Sequence, residues 1–227
     1  MLADLHSSKD LDRRSTAERI GERLAEEIMG GALAPGASLR ELELARRFGV
    51  ARNTAREALR FVVDRGLAQH VVHQGARVVT LTETDVVELY QARRLLELSA
   101  LPAAASAPAH RHDALDAAVS LVEEASVVED PRAVDEAELA FHAAIVGLHD
   151  NARFDVFFAD IGAGIRVCLA MTNRAEDVRS DSGELVAYHR TIREAIFDDP
   201  ARARRLLGAH LDHYEEQMRR LVRTAAR

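Results

Sequence analysis

The amino-acid sequence predicts a mainly α-helical protein with two domains. Apolar residues recur at helical spacing along most of the 227 residues, one pair of β-branched runs flanks Gln74 and Gly75, and no further strand signal follows it. Helices separated by glycine turns and followed by a hairpin indicate a winged helix-turn-helix over residues 10–80. After a linker at 81–84, we expect an all-α bundle of six helices over residues 85–227.

The first helix should begin after Ser15. Ser15 and Glu18 have the S-x-x-E spacing of a capping box, and apolar residues then recur every four positions until two glycines at 30–31 end the helix. The segment LAPGAS predicts a turn, because its proline cannot continue a helix. A second helix is then expected over residues 40–48, with Gly49 ending it.

The third helix, expected over residues 51–65, carries the polar face of the first domain. Its inward positions are apolar, whereas Arg52, Asn53 and Arg56 fall together on the other side. Forked or short polar side chains at the start of such a helix can reach base edges in the major groove, and Thr54 can reach a phosphate. A face of helical arginines can also be simply solvated, so the context of the helix has to decide.

Two features of that context favour nucleic acid. The β-branched runs around Gly75 predict a two-stranded wing, since glycine takes the positive φ of a hairpin tip. Residues 1–80 hold 13 Lys and Arg against 11 Asp and Glu, a net charge of +2, while the remaining residues hold 17 against 26, a net charge of −9. The first domain is therefore the part of the chain expected to bind a polyanion.

The second domain reads as a series of long helices separated by Pro, Asp, Asn and Gly. The predicted helices span residues 84–106, 111–128, 132–149, 151–174, 183–198 and 200–225. No apolar run reaches the roughly eighteen residues of a membrane span, and the first residues lack the order of a secretion signal, so a cytoplasmic protein is expected. The lone Cys168 lies in an apolar run, which favours a buried, unreactive thiol.

Four residues of the second domain could hold a metal ion. Glu138 and His142 are four residues apart and share one helix face, and His189 and His210 lie on two other helices among inward-facing apolar residues. One carboxylate with three imidazoles suits a divalent transition metal, with zinc first and nickel or manganese as alternatives. A single histidine at such a position is more often a core or surface residue.

The first domain resembles the winged helix-turn-helix of GntR-type bacterial transcriptional regulators. The resemblance covers GALAPGASLRELELARRFGVARNTAREALRFVVDRGLAQHVVHQGARV. It implies that Arg52 and Arg56 contact guanines or phosphates, that Arg40 also contacts DNA, and that Gly75 lets the wing approach the minor groove. Three departures from the usual recognition helix, Ala51, Thr54 and Ala55, bear on which operator sequence is read.

The second domain is similar to the FCD (FadR/VanR-like) ligand-sensing domain, an all-α six-helix bundle. The segments LYQARRLLELSA, ELAFHAAIVGLHDNARF, AYHRTIREAI and ARRLLGAHL carry this similarity. It implies a metal site at Glu138, His142, His189 and His210, with Glu138 where the family usually has Asp. Asp135, one turn earlier, is the second choice for that ligand.

The same resemblance implies residues that receive the carboxylate of an organic-acid effector: Arg93, Asn151 and Arg166. A buried arginine needs an anionic partner, which fits such an effector. The expected function is a homodimeric regulator that binds a palindromic DNA operator and responds to a small organic acid. Two alternatives are a metal-dependent enzyme with a DNA-binding appendage, and a metal-free helical bundle that binds DNA without regulation.

Overall fold

The computed structural model describes residues 14–72, 74–128, 131–172 and 182–225. The chain divides into two compact units between Val79 and Thr80. The predicted mainly α-helical fold, with a winged helix-turn-helix and a helical bundle, is confirmed.

The first unit contains helices α1 to α3 and strands β1 to β3. Their bounds are α1 Thr16–Met29, β1 Ser38–Leu39, α2 Glu41–Phe48, α3 Arg52–Asp64, β2 Ala68–Val71 and β3 Gly75–Val78. The capping box of α1 forms as predicted, because Ser15 Oγ accepts from the Glu18 amide at 3.1 Å and a Glu18 carboxylate oxygen accepts from the Ser15 amide at 2.6 Å. Helix α3 packs against both α1 and α2, so its apolar side is covered and its first turn stays exposed.

The predicted two-stranded hairpin forms from β2 and β3, and a third strand, β1, which the sequence did not indicate, pairs with β3. The antiparallel order is β1-β3-β2, with Leu39 opposite Ala76 and Val71 opposite Gly75. Strand β1 is only two residues long, too short to produce an alternating pattern in the sequence. Gly75 has φ +93°, and a Cβ there would overlap the carbonyl oxygen of Leu39. A glycine at this position therefore lets β1 approach the start of β3.

The second unit consists of the helices that the sequence predicts, joined at one point by a 3-10 helix. Their bounds are α4 Glu83–Ala100, the 3-10 helix Leu101–Ser106, α5 Ala109–Val128, α6 Pro131–Gly147, α7 Ala152–Thr172, α8 Ser182–Asp198 and α9 Pro200–Ala225. Apolar side chains from all of these helices form one core, whose larger members include Tyr90, Phe141 and Ile192. No described helix is long and apolar enough to cross a membrane.

Several helix boundaries differ from the prediction by one or two residues, and two differences at α4 have a local cause. Helix α4 begins inside the predicted 81–84 linker, because Thr82 and Asp85 form a second capping box at its start. The predicted helix 84–106 is α-helical only to Ala100, since Pro102 has no amide hydrogen for the next helical bond and the chain continues as a 3-10 helix. The last residues of the predicted helix 151–174 lie outside the described residues.

The core of the second unit contains polar groups as well as apolar ones. Arg93, Glu97, His142, His189 and His210 are all buried. Such groups are rarely buried unless each has a polar partner or a bound ion. They converge on the site described next. The Cys168 thiol is also buried, and burial raises its pKa to about 12, which agrees with the unreactive thiol that the sequence indicates.

Candidate metal centre and nucleic-acid interface

Three helices of the second unit bring the four predicted metal ligands together. Helix α6 supplies Glu138 and His142 from successive turns, α8 supplies His189, and α9 supplies His210. One ligand atom from each residue lies within 4.8 Å of the others. Two of these pairs are close: His142 Nε2 and His210 Nε2 are 3.0 Å apart, and His189 Nε2 and Glu138 Oε1 are 2.9 Å apart. The second Glu138 oxygen lies 3.7 Å from His210 Nε2 and 4.0 Å from His142 Nε2.

The contact between His189 and Glu138 requires a positive charge between their facing atoms. His189 Nδ1 lies 2.8 Å from the carbonyl oxygen of Leu185, which can only accept, so Nδ1 carries a hydrogen. A neutral His189 then turns the lone pair of Nε2 toward a carboxylate oxygen. Both atoms are buried, and neither makes a well-oriented hydrogen bond to a described residue despite their short separation. A cation between them, or a proton on Nε2, would satisfy both atoms.

His142 is oriented by a buried ion pair that the sequence prediction did not include. Its Nδ1 lies 2.6 Å from one oxygen of Glu97, and the other oxygen of Glu97 accepts from Arg93 Nε at 2.8 Å. With Glu97 ionised, Nδ1 donates to it and the lone pair of His142 Nε2 faces the other ligands. Carboxylates commonly orient metal-binding histidines in this way. Burial raises the pKa of Glu97, and the charge of Arg93 limits that rise.

His210 is held by aromatic rings rather than by a carboxylate. The Tyr188 ring stacks on it at 5.6 Å between centroids, with an interplanar angle of 17°, and the Tyr214 ring lies 4.7 Å away. The Tyr188 hydroxyl donates to the carbonyl oxygen of Leu206 at 2.8 Å, which fixes the ring that stacks on His210. The orientation of His210 therefore depends on packing between α8 and α9.

The pKa values of the three histidines differ because their surroundings differ. Burial, with smaller contributions from neighbouring positive groups, lowers the pKa of both His142 and His210 well below the ordinary value. Burial lowers the pKa of His189, but the hydrogen bond and charge of Glu138, together with the hydrogen bond to the Leu185 carbonyl, outweigh burial and leave the pKa raised. At neutral pH the first two imidazoles are thus neutral, the form that binds a metal. A metal at the site would take the place of any proton shared by His189 and Glu138.

This donor set fits a divalent transition metal. Three imidazole nitrogens and a carboxylate oxygen at about 2.0–2.2 Å from zinc would be about 3.4 Å apart in a tetrahedron, which lies within the range of 2.9 to 4.8 Å that separates the ligand atoms here. The cluster contains Glu138 and not Asp135, so the Glu138 side chain is long enough to reach the three imidazoles. Manganese and nickel accept similar ligands.

The three predicted effector-binding residues lie in different environments. Arg93 is 4% exposed, and its Nη2 is buried without a hydrogen bond to any described residue. Arg166 instead forms a two-point ion pair with Glu136, at 2.7 and 2.8 Å, near the surface. The exposed Asn151 side chain accepts from the Arg153 amide at 2.9 Å at the start of α7. Of the three, Arg93 is the one with a free buried donor for an anion.

Glu97 is the functional residue that sequence reasoning missed, although a signal was present. It lies four residues after Arg93, inside the R-x-x-L-E pattern of α4. The buried positions of this helix, Val86, Tyr90, Arg93, Glu97 and Ala100, are spaced by three or four residues. A carboxylate in such an inward-facing series, one turn from an arginine, indicates a buried ion pair.

In the first unit, the predicted DNA-reading side chains lie at the exposed start of α3. The side chains of Arg52 and Arg56 are 66% and 43% exposed, Asn53 is exposed, and Thr54 is half-buried. Both arginines bind the carboxylate of Glu41, the first residue of α2. An exposed, arginine-rich first turn is the arrangement with which recognition helices read the major groove.

Of the other predicted DNA contacts, Arg40 directly follows β1 and Gly75 is the first residue of β3. Arg40 immediately precedes α2, and its exposed guanidinium lies 3.5 Å from Glu43. Gly75 follows the turn residue Gln74, and so lies at the start of a strand and not at the tip of the wing. The immediate role of Gly75 is thus its close approach to Leu39 in β1.

Comparison with known proteins agrees with this architecture. A family model described as "Bacterial regulatory proteins, gntR family" matches residues 16–78, and the FCD domain model matches residues 88–213. The chain belongs to the GntR family. It is a DNA-binding transcriptional regulator of that family, with a winged helix-turn-helix followed by an FCD ligand-binding domain.

Two relatives and one solved structure are similar to this chain over most of their own length. The "Probable D-xylose utilization operon transcriptional repressor" of Paenarthrobacter nicotinovorans is 30% identical over 92% of this chain and 91% of its own. The "HTH-type transcriptional repressor GlaR" of Escherichia coli is 28% identical over 83% and 89%. A solved structure of a GntR regulator from Rhodococcus sp. RHA1 superposes with a TM-score of 0.71 at 27% identity, covering 90% of this chain and 98% of the other.

Proposed function

We propose that this GntR-family protein is a homodimeric, metal-dependent repressor whose affinity for a palindromic operator changes when a small organic acid binds in the FCD domain. Glu138, His142, His189 and His210 would hold a divalent metal, zinc first among the candidates. The observation that carries the proposal is the convergence of four ligand atoms within 4.8 Å beside a buried arginine. Repression is proposed because the relatives' names describe repressors. A regulator of transcription acts where the chromosome is, so we also propose a cytoplasmic location.

The residues around the centre have separate tasks in this proposal. The metal supplies a Lewis acid to which an effector carboxylate can bind. Arg93 offers the unpartnered Nη2 donor, while its Nε stays bonded to Glu97. Glu97 thus connects the arginine to the ligand His142. An anion received by Arg93 and the metal together would contact α4, α6, α8 and α9 at once, the helices whose relative setting it could change.

Regulation then requires that the effector bind one setting of these helices more tightly than another. Only such a difference in affinity can shift the equilibrium between DNA-binding and non-binding forms. For a coupling free energy of about 1–3 kcal/mol, operator affinity would change by roughly 5- to 150-fold. Arg40, Arg52, Asn53, Thr54, Arg56 and Gly75 are the proposed contacts to DNA. Asn151 and Arg166 remain proposed effector contacts that would have to leave their present partners.

The decisive experiment measures operator affinity in the presence of metal and small carboxylic acids. The probe is a duplex that the protein itself selects from a random-sequence library. We expect zinc-loaded protein to change its affinity for that duplex by fivefold or more with at least one acid, and chelator-treated protein not to respond. Equal responses with and without chelator would contradict metal-dependent sensing. Failure to select any duplex would contradict operator binding.

A further inference from the structure

A single carboxylate joins the two arginines of the recognition helix. Glu41 Oε2 accepts from Arg52 Nε at 2.7 Å, while Oε1 accepts from Arg56 Nε at 2.9 Å and Oε2 also from Arg56 Nη2 at 3.2 Å. The Glu41 side chain is 17% exposed, much less than either arginine. The pair of arginines is therefore held from the α2 side.

These contacts leave the outer edges of both guanidinium groups available. Glu41 engages Nε of each arginine and, for Arg56, one hydrogen of Nη2. Both terminal nitrogens of Arg52, and Nη1 of Arg56, can still donate outward. Recognition of guanine uses two such donors on O6 and N7 of the base. The carboxylate thus fixes the inner edges of the side chains while the base-reading edges stay free.

Glu41 also changes the charge that this surface offers to DNA. Hydrogen bonds from Arg56 and Arg52 lower the pKa of the Glu41 carboxyl to about 2, and the N-terminus of α2 also favours a carboxylate at this position. Two cations and one anion leave a net charge of +1 on the three side chains. Sequence-independent attraction to phosphates grows with the number of cations, so Glu41 weakens that attraction without occupying the base-reading edges.

We infer that Glu41 is a specificity-determining positioning residue: it holds Arg52 and Arg56 in one base-reading arrangement and suppresses binding to unrelated DNA. The inference rests on the proposed role of α3 as the recognition helix. Glu41 acts through the two arginines and needs no contact with DNA of its own. Through these contacts, Glu41 increases the difference in affinity between the operator and other sequences and reduces the overall attraction to DNA.

The test compares the full-length wild-type protein with Glu41→Gln on two duplexes. One is selected by the wild-type protein from a random-sequence library, and the other has the same length and composition in scrambled order. The specificity ratio is the dissociation constant for the scrambled duplex divided by that for the selected duplex. For Glu41→Gln we expect this ratio to fall by about tenfold, the size of one weakened base contact. Binding to the scrambled duplex should strengthen, and its dependence on salt should become steeper by about one phosphate contact.

Glu57→Gln is the matched control. Glu57 lies on α3 and bonds to Arg60 at 3.3 Å, with both side chains more than half exposed, so its replacement removes the same charge without freeing Arg52 or Arg56. It should leave the ratio of the two dissociation constants unchanged. The inference fails if Glu41→Gln keeps the wild-type ratio as the control does. If Glu41→Gln lowers the melting temperature but leaves the ratio unchanged, Glu41 stabilises the fold and does not determine specificity.

A second variant covers the case in which Glu41→Gln does not fold. Glu41→Asp retains the charge on a shorter side chain, which cannot reach both arginines as Glu does. We expect a reduced ratio with an unaltered salt dependence, and a wild-type ratio for Glu41→Asp would overturn the positioning role. If instead the wild-type protein selects no duplex at all, the recognition helix itself is misassigned, a result distinct from either failure of Glu41.

Discussion

At the scale of single residues, the metal centre depends on which nitrogen of each histidine faces the ligands. Glu97 orients His142 so that Nε2 faces the other ligands, since one Glu97 oxygen contacts His142 Nδ1 at 2.6 Å while the other accepts from Arg93. In Glu97→Gln the side chain has one acceptor and one donor. If its oxygen keeps Arg93, its NH2 donates to His142 Nδ1, and the imidazole hydrogen moves to Nε2, where it blocks the metal; if its oxygen keeps His142, Arg93 loses its partner. We expect zinc affinity to fall roughly 10- to 100-fold, measured by competition with a chelating dye.

The control for Glu97 is Glu136→Gln, which removes a carboxylate from α6 near the surface. Glu136 binds Arg166 and is 46% exposed. Its replacement should leave zinc affinity within about twofold of wild type, because exposed ion pairs contribute little. Equal zinc affinity in Glu97→Gln and wild type would show that Glu97 does not orient His142.

Glu41 gives a residue-scale prediction about pH. Its pKa of about 2 in the folded protein lies below the ordinary glutamate value of 4.5, so the carboxylate stabilises the fold above pH 4.5, and this contribution is lost as pH falls toward 2. The difference in urea midpoint between wild type and Glu41→Gln should therefore stay constant near neutral pH and shrink below about pH 4.5. A difference that grows on acidification would contradict the ion pairs with Arg52 and Arg56.

At the scale of elements, the sequence predicts helices whose apolar spacing repeats over several turns. It does not predict short strands or contacts that form between separate elements. The long helices followed from their apolar spacing and their caps, and the four metal ligands from matching positions on three helices. Strand β1 was missed because two residues carry no periodicity and pair only with β3. Glu97 was missed because its contact with His142 joins two helices, although its spacing from Arg93 is visible in the sequence.

Gly75 supplies the element-scale prediction, because β1 and β3 meet there. Gly75→Ala would put an alanine at a positive φ, and its Cβ would overlap the Leu39 carbonyl oxygen. We therefore expect the free energy of unfolding to fall by about 1–3 kcal/mol. Gly49→Ala is the control, since Gly49 has φ +65° but a Cβ there has nothing within 4 Å. It should lose only about 1 kcal/mol. Chemical denaturation measures both, and equal losses would contradict the close approach of β1.

At the scale of the whole molecule, the two units divide the work of a regulator. The first presents arginines on an exposed helix, in the part of the chain that carries the net positive charge. The second places three histidines, a glutamate and an arginine inside a helical core. Burying these groups without an ion would be unfavourable, so metal binding should stabilise the second unit and a chelator should destabilise it.

Zinc titration by calorimetry, on protein first stripped with a chelator, tests the central claim most directly. We predict about one tightly bound ion per chain for wild type and for His149→Ala, whose histidine bonds instead to Ser99 and the Leu96 carbonyl. His189→Ala should lose tight binding, because Glu138 then lacks the imidazole 2.9 Å away. Absence of tight binding in wild type, or undiminished binding in His189→Ala, would contradict the metal centre.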